Sequence, residues 1–429
     1  MDLKCMKGRD LLSFMKYENL HRHSQMKHIN KICSPYLSFP EFSKEKWIFL
    51  PLKNIATIRS ERAGNKKCIL LSVSSGVGLI SQKEKFGREI AGKQYERYFL
   101  VHENDFVYNK SATKTYPQGT INLYHNKELA AVPSSIFTCF YVDFNIINIF
   151  YLKYLFKFNI HGKWLRKFIT TGARAHGSFN IDSKDFLSIP IPIPLGEKSL
   201  SEQQKIADCL SSLDELIEAH EQKLDALKQH KKGLMQRLFP AKGETAPRWR
   251  FPEFRNTGEW ISIKLGEICS ISTGKKDANQ GNNTGLYPFF TCSEKTIYSN
   301  TYSFNGEALL IAGNANVGLT KYYNGKFEAY QRTYVLMNFK KINTQYLYIF
   351  LTSNLQKYLK NIVQSSAMQY IKLQMLKEYD ILLPKDCKEQ KKIADCLTSV
   401  DEQIKTQEEK IMALKEHQKG LMQKLFPSL

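Results

Sequence analysis

The stretch EQQKIADCLSSLDELIEAHEQKLDALKQHKKGLMQRLFP, Glu202 to Pro240, returns at Glu389 to Pro427 with roughly two-thirds of its positions unchanged. In the first copy Ile206, Leu210, Leu213, Ile217, Leu224, Leu227, Leu234 and Leu238 advance by steps of four and three. Ile393, Leu397, Val400, Ile404, Ile411, Leu414, Leu421 and Leu425 do the same in the second. A spacing of this kind, held so long, predicts a coiled-coil seam in which each side chain enters a gap between four residues of a partner helix. The two copies are each other's most economical partner.

Ser201, three residues before Gln204, and Asp386, three before Glu389, are placed to cap the two helix starts with a side-chain oxygen. Each copy ends at Phe-Pro, because proline cannot continue the helical hydrogen-bond ladder. The seam is interrupted at matching places by His220 and Lys231 in one copy and by Gln407 and Gln418 in the other. Polar seam residues cost stability and fix register, which is the reading preferred here to a catalytic His220. Setting His220 opposite Gln418 and Lys231 opposite Gln407 would let the interruptions share layers.

A chain of 429 residues exceeds one ordinary core. Its 62 Lys and Arg against 41 Asp and Glu leave a formal charge of +21. That excess is not in the helices, since residues 199–243 and 389–429 each hold seven basic and seven acidic residues. Residues 44–198 hold 23 basic against 12 acidic, and residues 258–388 hold 15 against nine. A polyanion-binding surface therefore belongs to the two blocks that precede the helices. Nine scattered cysteines with no Cys-x-x-Cys pairing argue against a disulfide framework or a zinc site and for a reducing cytoplasm. Cys209 and Cys396, equivalent in the repeat, read as small apolar groups. No secretory signal or membrane span is legible; Ile146 to Phe158 is the most apolar run and is broken by Asn148, Lys153 and Lys157.

The duplication is larger than the helix. PYLSFPEFSKEKW from Pro35 resembles PRWRFPEFRNTGEW from Pro247, so each unit opens with Phe-Pro-Glu-Phe and a tryptophan, Trp47 or Trp260. The chain is expected to divide into an N-terminal extension (1–34), a first block (35–198), a first helix (199–240), a linker (241–257), a second block (258–385) and a second helix (386–429). The extension has a helix-like patch at Leu11 to Tyr17 and three histidines, His21, His23 and His28, whose spacing does not suit a metal; loose attachment is expected. In the first block residues 69–75, 97–109 and 135–144 read as strands, as do 265–272, 306–314 and 331–339 in the second. Helical stretches are expected at 146–169 and 344–363, and a short Pro-bounded strand closes each block, at 188–194 and 379–384. The fold class is α+β.

Catalytic signatures are missing. Gly87 to Gln94 imitates a phosphate-binding loop but lacks the final Ser or Thr and the preceding apolar strand. No glycine fingerprint for a dinucleotide or S-adenosylmethionine, no adenine-methyltransferase signature, no metal-nuclease pattern and no nucleophile elbow is present. The chain reads as directing chemistry done by others. Phosphates attract Lys and Arg, while base edges attract Arg, Asn and Gln, which form paired hydrogen bonds. On that ground the candidate DNA contacts of the first block are Arg59, Arg62, Lys66, Lys67, Asn109, Lys110, Lys114, Arg174 and His176, with Gln118 beside them. Those of the second are Lys275, Lys276, Asn279, Gln280, Asn314, Asn316, Lys321, Gln331 and Arg332, with Asn282 and Asn283 in the same loop.

The Ile-Ala-Asp-Cys-Leu start and Lys-Gly-Leu-Met-Gln-(Arg/Lys)-Leu-Phe-Pro finish of the repeated helix resemble the specificity subunit of type I restriction-modification systems. The Phe-Pro-Glu-Phe openings and LGEICSISTGKKD at Leu265 carry the same resemblance, which covers nearly everything from Pro35 onward. It implies two target-recognition domains, each reading half of a split site in double-stranded DNA, joined by an antiparallel helix pair. It implies further that two methylation subunits and motor-nuclease restriction subunits dock on the chain, and that S-adenosylmethionine, ATP and magnesium belong to those partners. Ile206 to Leu238 spans about 50 Å at 1.5 Å per residue. Readers held at that separation would sit about one to one and a half turns of DNA apart. Two other readings stay open: a coiled-coil scaffold, which would lack DNA affinity, and a self-sufficient nucleic-acid enzyme, which would act on DNA without partners.

Overall fold

The computed structural model describes residues 32–74, 78–112, 116–168, 181–241, 243–364 and 370–428, with backbone alone at 360–364. Two compact units emerge: one runs to His220 and takes in Lys410–Leu429, and the other is Glu221–Glu409. The N-terminal histidines and the patch at Leu11 to Tyr17 lie outside the described residues, as do Lys114, Arg174 and His176.

In the first unit, Phe-Pro-Glu-Phe makes a single 3-10 turn, Pro40–Phe42, and the strand Trp47–Pro51 follows it, paired antiparallel with Pro190–Pro194. An antiparallel sheet orders its strands as Ala56–Arg59, Phe137–Val142, Phe106–Asn109 and Thr120–Leu123. A second sheet holds Gly78–Ser81, Ile69–Ser74, Ala130–Val132 and Phe99–Val101. The segment expected as one strand over 97–109 is therefore two. His102 and Asp105 bond across the turn between them, and Asn104 takes the left-handed conformation there (φ 66°). The helix expected over 146–169 is likewise two, Ile149–Lys157 and Ile160–Leu165, broken at Asn159 (φ 62°).

The second unit repeats the plan with a different sheet. Pro252–Phe254 is again a 3-10 turn, Trp260 is again buried, and Ile261–Lys264 pairs with Asp380–Leu383. Leu265–Ile268, expected as part of a strand, is one helical turn that turns Leu265 and Ile268 into the core. The sheet runs Ser270–Thr273, Thr333–Met337, Phe304–Ala312, Thr320–Ala329, Tyr287–Phe290, Ile297–Ser299. Its longest strand, Thr320–Ala329, is obscure in sequence because Asn324-Gly-Lys interrupts the apolar pattern. Gly325 faces Gly306 in register, both at positive φ values (137° and 125°) that residues with a Cβ rarely adopt. Helix Thr344–Gln364 covers the sheet.

The long helices, Ser199–Leu238 and Cys387–Leu425, stop one residue before Phe-Pro, as expected. Asp386 caps the second, its Oδ1 accepting from Lys388 N at 2.8 Å. Ser201 does not cap the first, which begins two residues earlier at Ser199. In the first unit Ile206, Ala207 and Leu210 share a core with Met422, Leu425 and Phe426, so the approach of the helices there is antiparallel. In the second, Leu238 and Phe239 share a core with Ile393, Ala394 and Leu397. Equivalent hydrogen bonds close both helix ends: Leu37 N donates to Lys424 O and Trp249 N to Arg237 O.

The expected seam register is overturned. Gln418 Nε2 donates to Asp214 Oδ1 at 2.7 Å, and Lys231 Nζ to Asp401 at 2.6 and 2.7 Å. Asp214 and Asp401 are repeat equivalents, so one polar layer occurs in each unit. A carboxylate satisfies a lysine or a glutamine better than a second neutral amide does. Asp214 also accepts from Lys157 Nζ and Tyr154 OH.

The start of each long helix also carries a buried glutamate, and the two are treated differently. Both oxygens of Glu389 are held by Arg250, at 2.8 and 2.6 Å. Glu202 is only 1% exposed, and its Oε2 has no hydrogen-bond partner among the described residues. Burial pushes the Glu202 carboxyl up to about 7, and the Glu45 carboxylate adds to the rise. Folded Glu202 thus keeps a proton that the unfolded chain releases near 4.5, and stability falls as pH rises from that value to about 7. We expect Glu202→Gln to raise the melting temperature at pH 8 and to leave it nearly unchanged at pH 5. Thermal unfolding of both forms across that range checks the sign.

Candidate nucleic-acid interface

Strands Ala56–Arg59 and Phe106–Asn109 both run antiparallel to Phe137–Val142, with Arg59 opposite Cys139 and Asn109 opposite Phe137. Their C-terminal ends therefore share one margin of the sheet, and the segments that follow carry the candidate contacts of the first unit. Arg59 is occupied internally: its Nε and Nη2 donate to Asp105 at 2.7 and 3.0 Å, and its guanidinium lies 4.8 Å from the Tyr141 ring. Asp105 is 1% exposed, so this fork neutralises a buried carboxylate. Arg62 is exposed, with Nη1 donating to Arg97 O and the guanidinium 4.3 Å from the Phe99 ring. Lys66 and His102 flank Glu61 and hold its carboxyl down to about 2. Lys67 is exposed, Asn109 Oδ1 accepts from Ser111 N, and Gln118 O accepts from Tyr108 OH. Lys110 is half-buried, which lowers the pKa of its ammonium.

The second unit gathers its loops more tightly. Gly274 N donates to Thr333 O, Gln331 N to Lys276 O, Gly313 N to Arg332 O and Ile371 N to Gly313 O. Asn314 bridges to Tyr370, and Asn316 Nδ2 donates to Cys292 O. Residues 274–281, 291–295, 313–319 and 330–332 accordingly meet at one place. Lys276 is spent inside it: Nζ reaches Glu328 Oε2 at 3.2 Å and donates to Ser299 and Thr301, and Glu328 is fully buried. Lys321 Nζ donates to the carbonyls of Ser293 and Glu294, and burial lowers its pKa. Gln280 Oε1 accepts from Asp277 N, and Asn282 Oδ1 from Thr284 N. Lys275, Asn279, Gln280, Asn283, Asn316, Gln331 and Arg332 are left exposed around this cluster. Tyr370, also exposed and 6.0 Å from the Arg332 guanidinium, was not marked by its sequence, because the bridge to Asn314 that brings it here is tertiary.

Among the described residues no three His, Cys, Asp or Glu side chains are placed to hold a metal ion. No helix among them is long and apolar enough to cross a membrane.

A family model for the type I restriction modification DNA specificity domain matches residues 44–229 and again residues 257–416. The chain belongs to that family. It carries the specificity domain twice, in tandem, each time with part of a long helix. The specificity subunit of the Escherichia coli type I restriction enzyme EcoDI is 39% identical over 148 residues, 34% of this chain. That match spans about a third of the relative's length (32%). The MjaVIII specificity subunit of Methanocaldococcus jannaschii is 27% identical over 289 residues, covering 59% of this chain and 67% of the relative. Among solved structures, a type I restriction-modification S subunit from M. genitalium superposes with a TM-score of 0.64 at 17% identity, over 92% of this chain and 100% of the other. A chain from a structural study of complex assembly and conformational transition in the type I R-M system superposes at 0.52 and 16% identity, over 88% and 97%. These likenesses establish the fold.

The split between occupied and exposed cations of the second specificity domain can be tested in the intact chain. Lys276→Met should cost about 3 kcal/mol of stability, because Glu328 loses the cation that compensates its burial. Arg332→Ala should leave stability unchanged and weaken binding to duplex DNA about tenfold. Chemical denaturation and gel-shift titration read the two effects separately.

Proposed function

We propose that this chain is the DNA-reading subunit of a type I restriction-modification enzyme and carries no catalytic step itself. Each specificity domain reads one half of a split site in double-stranded DNA. The observation that carries this reading is the pairing of like with unlike: two different sheets, each with a polar, cation-bearing loop margin, are fastened to matching helices by the same clamp. Gln203 Oε1 accepts from Asn148 N at 2.8 Å, and the equivalent Gln390 Oε1 accepts from Asn343 N at 2.8 Å. A protein with one ligand would have no need of two readers on one attachment.

The long helices set the gap between half-sites and offer the docking surface for two methylation subunits, with motor-nuclease restriction subunits joining to make the cleaving form. S-adenosylmethionine, ATP and magnesium are bound by those partners. The assembly works in the cytoplasm, where the DNA is.

Duplex affinity should fall steeply with salt, as phosphate contacts dictate, and neither cleavage nor methylation should occur until partner subunits are added. Inserting one heptad after both Leu224 and Ile411 preserves the seam and lengthens each helix by about 10 Å. The unread gap should then grow by about three base pairs, measured by mapping methylated bases. An unchanged gap would remove the helices from their role as spacer, and modification by the chain alone would remove the division of labour.

A further inference from the structure

Two large apolar side chains stand in water on the first unit, on a segment that the candidate contacts above do not include. Phe86 is 45% exposed and Ile90 is 59% exposed. They flank Gly87, which ends the short helix Gln82–Phe86 in the left-handed conformation (φ 72°). The segment between them is held at both sides. Gln82, itself buried, accepts from Ile90 N at 3.0 Å through Oε1, while its Nε2 reaches Leu71 O at 3.5 Å. Ser81 Oγ caps the helix by accepting from Glu84 N, and Lys85 Nζ donates to Val73 O while lying 5.0 Å from the Phe86 ring. Beyond Ile90, Ala91 and Tyr95 pack on the small core of Ala63, Leu70, Leu100 and Ala131. A pair of apolar side chains carried in the open on a backbone held by hydrogen bonds on either side spares binding the cost of ordering that backbone.

The surroundings point to the occupant. Lys83, Lys85, Arg88, Lys93 and Arg97 are all exposed on the same segment and outnumber the exposed Glu84, Glu89 and Glu96 among them. The segment joins the candidate margin directly: Arg62 Nη1 donates to Arg97 O, Gly64 N to Glu96 O and Ala63 N to Tyr98 O. Cations around an apolar centre suit a duplex, whose phosphates flank grooves that carry thymine methyl groups and the edges of stacked bases.

We propose that Phe86 and Ile90 enter a groove of the DNA and contact bases, so that the first specificity domain reads its half-site partly by apolar contact. This rests on the proposed reading of bipartite duplex DNA. Arg88 and Lys93 secure the flanking phosphates.

The test uses the full-length chain, unaltered and as F86A/I90A, titrated against duplexes containing the mapped site and against a scrambled duplex of equal length. Both side chains are exposed, so the melting temperature of the variant should match that of the unaltered chain. The expected result is a loss of about tenfold or more in affinity for the site, with affinity for the scrambled duplex and its salt dependence unchanged. An equal loss on both duplexes, or none on either, would overturn the proposal. So would a variant that binds the site normally yet fails to assemble with a methylation subunit, since the patch would then face protein. If the unaltered chain itself does not distinguish the two duplexes, the bipartite reading fails and this proposal with it; a discriminating parent and an equally discriminating variant reject the apolar contact alone.

Discussion

Phe426, just past the last turn of the second long helix, is buried against Tyr151 in the unit where the first long helix begins. Phe239, just past the end of the first, is buried against Trp260 and Tyr346 in the other. Each hydrophobic core is therefore completed by the start of one helix and the end of the other. Neither specificity domain can bury its aromatic centre with its own helix alone. Because apolar burial is the dominant favourable term in folding, this reciprocal completion ties the two repeats into one cooperative dependence. The remaining regularities follow: the hydrogen bonds that close the helix ends come from the Phe-Pro-Glu-Phe openings, and the glutamine clamps sit where each helix enters its own block.

The polar residues of the seam obey the same logic at finer scale. Lys231 and Gln418 interrupt an apolar face, and each is answered by an aspartate flanking the seam of the facing helix. That contact selects one sliding position of the helices over its neighbours, a specificity that a continuous leucine face would not supply. The two layers are equivalent in the repeat, yet one uses a charged pair and the other an amide on a carboxylate. Duplication has left the geometry and let the chemistry drift. The glutamates at the helix starts have drifted further, since Glu389 keeps an arginine where Glu202 faces a serine and a tryptophan.

The same principle separates cations that shape a domain from cations that face outward. Arg59 and Lys276 lie on loop margins rich in polar residues, and nothing local distinguishes them from Arg62 and Lys275. What decides is a carboxylate far away in sequence: Asp105 for Arg59 and Glu328 for Lys276, each buried and each paired with that cation. The exposed set that remains is smaller and more concentrated than the basic composition implies.

The sequence by itself determined the repeat, the helix pair, the α+β class and the placing of excess charge in the blocks. Those features are periodic or compositional, and period and composition are local properties. It also carried the family, through motifs at the helix ends and block openings. Only the tertiary structure decided the seam register, the single helical turn at Leu265 where a strand was expected, the facing of Gly306 and Gly325 in the sheet, and which basic side chains are free to meet a ligand. Each of these depends on a partner distant in the chain, and the free energy of burying or pairing a group is set by what comes to lie against it, not by its neighbours in order.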